Sequence, residues 1–257
     1  MIKGLYSAAS AMLAGLTQEE LISHNLANVD TPGFRQVLTS LDDWKATSVN
    51  TVPGVTFGTD PERYLGQLGL GTDTIPEVND FSQGALRQTG YPLDVAIQGN
   101  GFFHIRTPNG DRYTRDGRFQ RDAAGNLVTP EGFAVLNAAG NPIAIPDGEV
   151  AIDRQGNIDV NNRPVTQLGV AAFANPTTEL TRDADTGDAF ATANGGGPTS
   201  TFTGTTEQGF VENSNVNAAQ MMAQMVTVNR AYEAAQRMVQ SQDNLLGETI
   251  AQVGRLS

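Results

Sequence analysis

Residues 217–253, NAAQMMAQMVTVNRAYEAAQRMVQSQDNLLGETIAQV, carry the periodicity that decides the architecture. Met221, Met225, Val228, Tyr232, Ala235, Val239, Gln242, Leu246, Thr249 and Val253 recur at 4-3-4-3 spacing, and only Gln242 and Thr249 among them are polar. A heptad seam of this kind lays one apolar stripe along a helix and calls for a second helix against it. Asn217-Ala218-Ala219-Gln220 opens the run in the form of a capping box, with an amide before the first turn and Gln at its third position. Two heptads arise by chance in globular helices; four at one end of a chain are a more specific signal.

The second helix stands at the other end. At 100° per residue, Ile2, Leu5, Tyr6, Ala9, Met12, Leu13 and Leu16 fall within one stripe about 120° wide. Glu20 then enters that stripe while Leu21 and Ile22 leave it, so the second half is less regular. Asn28, Asp30-Thr31 and Pro32-Gly33 supply turn chemistry that stops the helix. Ala9-Ser10-Ala11 imitates a signal-peptidase site, but Gly4, Ser7 and Ser10 interrupt the apolar run and the helical pattern continues beyond it. Export without a cleaved signal is the expectation. No run reaches the ~18 apolar residues of a membrane helix, so no membrane insertion is expected.

Five segments follow. Residues 1–35 are a helix and turn motif. Residues 36–80, with Pro53, Gly54, Gly58, Pro61, Gly66, Gly69, Gly71 and Pro76, read as an extended arm or linker with a short helix near Leu38–Trp44. Residues 81–174 alternate short apolar runs with turn signals every ~8–12 residues, the pattern of an antiparallel all-β domain, sandwich or barrel-like. At Asp116-Gly117 a three-residue turn with left-handed Gly117 would pair Tyr113 with Phe119, and that register is favoured over a two-residue turn. Residues 175–210, rich in Gly, Thr and Asp, read as a loop or return arm with little to bury. Residues 211–257 are the heptad helix. The fold class is therefore α+β, with long terminal helices that pair as a coiled coil around or beside a β domain. The competing arrangement packs both helices on the β domain as one fold.

Composition narrows function. The chain has 257 residues, no cysteine, 16 Lys plus Arg and 28 Asp plus Glu, a net charge of −12. Cysteine nucleophiles, disulfides and Cys-ligated metals are excluded. The acidity opposes nucleic-acid binding. His24 and His104 lie in no triad pattern. Asp183, Asp185 and Asp188 around Gly187 fail the spacing of a calcium loop, because Gly falls at position 5 and Asn194 at position 12. Gly66–Gly71 reverses the dinucleotide fingerprint and sits in no strand–helix unit. Arg106, Arg112, Arg115, Arg118 and Arg121 form a basic cluster interleaved with Asp111, Asp116 and Asp122. Charged outer faces of hairpins explain it better than nucleic acid, and contact with an acidic neighbouring subunit is a third reading. No active site assembles, and no cofactor or metal is expected.

Three segments carry a family resemblance. Asn25-Leu26-Ala27-Asn28-Val29-Asp30-Thr31-Pro32-Gly33-Phe34 resembles the N-terminal signature of flagellar rod, hook and hook-associated axial proteins. Gln83–Gly90, Pro92–Ile97, Gly101-Phe102-Phe103 and Tyr113–Gly117 resemble the central segment of the rod and hook group. Ser214–Asn217 and Arg230-Ala231-Tyr232-Glu233 resemble its C-terminal segment. The resemblance implies a basal-body rod subunit, exported unfolded through the flagellar type III apparatus and assembled with itself and other axial proteins in the periplasm. Assembly would fall on Leu5, Ala9, Met12, Leu16, Asn25, Asn28, Pro32 and Gly33 at the N-terminus, and on Met221, Met225, Val228, Tyr232, Ala235, Val239 and Leu246 along the C-terminal seam. The compact 36–80 region and the Gly4–Ser10 start resemble the proximal rod more closely, although Arg230–Glu233 suits the distal rod equally. An enzyme or peptidoglycan-binding module, and an extracellular filament or adhesin, are the alternatives.

Charge is uneven along the chain. Residues 1–35 hold two positive and three negative groups and residues 211–257 three and four, so each end is −1 and the middle carries −10. Nearly neutral ends avoid like-charge repulsion if copies pack there.

Overall fold

Phe102 and Phe103 are neighbours in the strand Phe102–Thr107, and both are buried. Successive strand side chains point to opposite faces, so this strand is covered on both sides. The computed structural model describes residues 2–39, 41–43, 47–50, 64–68, 72–74, 78–183, 186–193 and 195–253. They divide into two units: Ala27–Val37 with Asn79–Asn217, which we term the body, and Met1–Leu26 with Leu38–Val78 and Ala218–Ser257.

The body is antiparallel throughout. Its main sheet runs in the order Gln120–Arg121, Leu127–Val128, Ala134–Val135, Phe102–Thr107, Gly110–Thr114, Phe190–Thr192, Leu180–Arg182, with Val170–Ala171 also paired to Phe102–Thr107. Phe103 and Ile105 enter one core with Val95, Ile97, Phe119, Leu127, Val135 and Ile158. Phe102 enters a second core with Tyr113, Phe173, Leu180 and Phe190. Its rings meet edge-on, with Phe102 and Phe190 centroids 5.9 Å apart, a favoured aromatic geometry. A three-stranded sheet, Val150–Ile152, Asn157–Val160 and Arg163–Gln167, adds Ile152, Ile158 and Val160 to the first core. Two further pairs bring the end of the body back to its beginning. Thr205–Gln208 pairs with Val95–Gln98, and Phe210–Glu212 pairs with Leu86–Gln88.

Two expectations fail here. The 175–210 segment is no return arm. It holds the short helix Pro176–Glu179 and the hairpin Leu180–Arg182/Phe190–Thr192, which extends the main sheet. Leu180, Ala189 and Phe190 are buried. Few apolar residues suffice because the hairpin register turns Leu180 and Phe190 to the second core, while Ala189 joins the first. Asp116-Gly117 is not a hairpin turn either. Tyr113 pairs with His104 on one side and Phe190 on the other, while Phe119 lies in the opposite core. Gly117 does not take positive φ. It is needed for close approach: a Cβ there would collide with the Val95 carbonyl oxygen, and Val95 N donates to Gly117 O at 2.9 Å.

In the other unit, α1 spans Ile2–Ala27 and the second long helix spans Ala218–Val253. Taking Pro176–Glu179 as α2, the latter is α3. Residues 36–80 contain nested antiparallel pairs rather than a lone arm. Val37–Leu38 pairs with Val78–Asn79, Leu41–Asp43 with Thr72–Thr74, and Thr47–Asn50 with Tyr64–Leu68. The short helix expected near Leu38–Trp44 is replaced by strand; Trp44 itself lies outside the described residues. β-Branched positions such as Thr47, Val49 and Thr72 favour the ladder once a partner strand is present. Gly15 on α1 faces the ring of Tyr232 on α3, with Cδ2 3.8 Å from where a Cβ would stand. No described helix is long and apolar enough to cross a membrane.

Gly117→Ala is expected to cost about 1–3 kcal/mol or more, because backbone would have to move. Gly196→Ala, in open space, stays within about 0.5 kcal/mol. Urea unfolding of the two variants checks the contrast.

Candidate functional site

The segment after α1 turns on its own side chains. Thr31 Oγ1 donates to Asn28 Oδ1 at 3.2 Å, and Thr31 N to Asn28 O at 3.2 Å. Gly33 takes φ +74°, and a Cβ there would strike the Asp116 backbone. Only glycine meets both demands without strain. The chain therefore passes against Arg115-Asp116 and delivers Phe34 and Arg35 into the body, both buried.

Arg35 meets a carboxylate from the far end of the body. Its Nη2 lies 2.8 Å from Glu212 Oε1, and Arg115 Nη1 donates to Glu212 Oε2 at 3.0 Å. The side chains are 0% exposed for Arg35 and Glu212 and 3% for Arg115. Backbone groups complete the cluster. Gly84 N donates to Glu212 Oε1 at 2.8 Å, Arg35 Nη1 to Ser82 O at 2.8 Å, and Arg115 Nη2 to Gly99 O at 2.7 Å. Gly33 N donates to Glu212 O at 2.8 Å. Two cations thus share one anion away from water. Burial and the Arg35 charge push the Arg115 guanidinium down to about 10, against the upward pull of Glu212, so it remains protonated at neutral pH.

Around this cluster the same segments are tied again. Arg182 Nη2 donates to Arg35 O at 2.6 Å, and its guanidinium lies 4.6 Å from the Phe34 ring centroid and 5.3 Å from that of Phe190. Asn215 accepts from Gln36 N at 2.7 Å and donates to Asp80 O and Ser82 O at 2.9 and 3.1 Å. Residues 28–36, 80–84, 99, 115–116 and 212–215 therefore converge on one buried junction.

The five clustered arginines are all paired: Arg106 with Asp111, Arg112 with Asp183, Arg115 with Glu212, Arg118 with Asp116 and Arg121 with Asp147. His104 stacks on Tyr113 with centroids 5.1 Å apart. Burial holds it below the usual imidazole range, although Asp111 pulls the other way. No cluster of metal-ligating side chains occurs among the described residues; Asp185 lies outside them.

The expected site residues separate into three groups. Asn25, Pro32 and Gly33 are buried and Asn28 is half-buried. On α3, Met221 and Ala235 are buried, and Met225, Val228, Tyr232, Val239, Gln242 and Leu246 are half-buried; every other position from 222 to 245 is exposed. The heptad phase of the sequence is thus the phase of burial. Gln242 Oε1 is buried without a hydrogen-bond partner. The α1 stripe behaves otherwise. Tyr6 and Leu13 are 67% exposed, Leu16 is 47% exposed, Ala9 is exposed and Met12 half-buried. The buried apolar side chains described on α1 are Ala8, Ala14, Leu21 and Ile22 instead. The Leu5 side chain lies outside those described. Arg35 and Glu212 were not among the expected residues. Their one sequence signal is that each charge sits inside or beside a family-like segment, next to Phe34 and Val211.

Beside the junction, Asp188 is pushed up to about 6 by burial and by the charges of Asp116 and Glu131. A carboxyl raised in the folded state favours folding where it is protonated. Its contribution is complete below about pH 4 and is lost as pH rises through about 6. Asp188→Asn should therefore flatten the decline in unfolding free energy between about pH 4 and 7. Urea titrations across that range check it; an unchanged slope would assign the decline elsewhere.

Comparison with known proteins gives three family matches. Residues 5–35 match the "Flagella basal body rod protein" family, residues 96–160 the "Flagellar hook protein FlgE/F/G D1 domain" and residues 207–252 the "Flagellar basal body rod FlgEFG protein C-terminal" family. The chain is 34% identical over 262 residues to the flagellar basal-body rod protein FlgG of Borreliella burgdorferi, covering 96% of this chain and 97% of the relative. It is 32% identical over 269 residues to FlgG of Bacillus subtilis, covering 97% and 98%. To the flagellar basal-body rod protein FlgF of Rhizobium meliloti it is 33% identical over 262 residues, covering 99% of each.

Proposed function

This chain belongs to the flagellar basal-body rod family, and from that premise we propose that its two terminal helices carry the contacts of the polymer. It is a structural rod subunit, not an enzyme. One observation carries the assignment of contacts: large apolar residues of the α1 stripe lie in water. Tyr6, Leu13 and Leu16 are exposed there, and Met222, Val226, Met238, Leu245 and Ile250 are exposed on α3. An apolar surface of that extent marks an interaction site.

Leu5, Ala9, Met12 and Leu16, with the α3 seam from Met221 through Met225, Val228, Tyr232, Ala235 and Val239 to Leu246, are the positions assigned to helix pairing within and between copies as a coiled coil. Open-ended growth needs heterologous contacts that do not close on themselves. Methionine suits such a surface, because a thioether adapts to slightly different neighbours. Gln242 would find its missing partner across such a seam, where a polar position sets register. Asn25, Asn28, Pro32 and Gly33 set where the first helix stops.

Other axial proteins of the flagellum are the partners, and the basal body in the periplasm is the location. Export unfolded through the flagellar type III apparatus, without a cleaved signal, completes the reading. A chain with no cysteine reaches an oxidising compartment with no thiol to misbridge. Within this reading the Gly4–Ser10 start favours the proximal end of the rod.

Leu13→Glu and Met238→Glu test it. Both positions are exposed, so monomer stability should change by no more than about 0.5 kcal/mol. Assembly would bury an unpaired carboxylate at a cost of several kcal/mol, roughly. Sedimentation and electron microscopy should show monomers where the parent chain polymerises. Polymers of unchanged length would place the contacts elsewhere.

A further inference from the structure

The body closes around charges that arrive from three distant parts of the chain, and the only carboxylate among them arrives last. Arg35 follows α1, Arg115 lies in the middle of the body, and Glu212 ends the last strand, Phe210–Glu212. No other carboxylate among the described residues pairs with either guanidinium. Both guanidinium groups are buried, so without that strand each would keep a backbone carbonyl, Ser82 O or Gly99 O, but no counter-charge.

We propose that Glu212 is a completion latch: order in the segment Ala27–Val37, which carries α1, is conditional on the last strand, which leads to α3. The inference concerns the body alone and does not depend on how copies assemble. Five contacts define the latch. Gly33 N donates to Glu212 O, Gly84 N to Glu212 Oε1, Arg35 pairs with the same Oε1, Arg115 Nη1 donates to Oε2, and Asn213 N donates to Ala85 O at 2.9 Å. One carboxylate and its own strand therefore hold the entry segment, the 82–85 segment and Arg115 at once. Asn215 repeats the tie one turn later, through Gln36 N, Asp80 O and Ser82 O. Nothing in the main sheet substitutes for it, because Phe102–Thr107 and Gly110–Thr114 pair with strands other than Phe210–Glu212. A chain that lacks its last strand cannot fix the segment Ala27–Val37 within the body. Glu212 is thus a positioning residue for that segment.

Native-state hydrogen exchange on the full chain at low urea tests the coupling without any substitution. The amides of Gly33, Gly84 and Asn213 should open in one event, with one free energy and one urea dependence. If Gly33 opens at lower urea than Asn213, the latch is overturned. Glu212→Gln keeps the shape and removes the charge. It should raise exchange at residues 27–37 and 82–85 by about ten- to a hundredfold, with Phe102–Thr114 little changed. Exchange equal to the parent's, or raised evenly across the body, would make Glu212 an ordinary core residue. Should that variant not fold, Glu212→Gln with Arg35→Met restores the parent's buried net charge. It should fold with residues 27–37 still unprotected, and parental protection there would refute the latch.

Discussion

Two guanidinium groups share one carboxylate out of contact with water, and this constraint organises the molecule. A buried ion pair adds little stability against an apolar equivalent, yet losing one partner is severe because the remaining charge is stranded. The Arg35–Glu212–Arg115 cluster therefore does less to strengthen the body than to specify it. It accepts one arrangement of the entry segment, the central strands and the last strand. The glycines at 33 and 84 follow from it, since each lets backbone close on the cluster where a side chain would not fit. Family-like residues far apart in the chain, Gly33, Gly84, Arg115 and Asn215, meet at this junction.

Around that junction the two cores are ordinary sheet physics. Alternation in Phe102–Thr107 sends Phe102 to the core that holds Tyr113, and Phe103 to the core that holds Phe119. The body carries most of the acidity, and its clustered arginines are spent on local carboxylates. The ends are nearly neutral. Lys3, Glu19 and Glu20 give α1 a charge of −1, and Arg230, Arg237, Glu233, Asp243 and Glu248 give α3 the same. Helices so balanced can approach copies of themselves without a large repulsive field.

What the sequence disclosed, it disclosed through period. The α3 seam needed only spacing, and its burial follows that spacing from Met221 to Leu246. Turn signals marked an antiparallel β body for the same reason. The α1 stripe was equally legible as a pattern, but a pattern does not say whether its cover lies within the subunit. Leu13 is apolar and exposed; Ala14 beside it is buried. Non-local facts were hidden. Arg35 and Glu212 are single charges with no local partner, and only the fold brings them together. Gly117 looked like a turn residue because glycine serves both turns and close approaches, and here it serves the second. Leu180 and Phe190 were lost among Thr, Gly and Asp because a hairpin needs few apolar residues once its register is set.

The proposed division of labour, with a body fixed by its own buried charges and helices that meet other copies, is tested most directly by comparing hydrogen exchange in monomer and polymer. The body's strands should show the same protection in both states, while α1 and α3 gain protection only in the polymer. Helices already protected in the monomer to the level of the polymer would contradict the account.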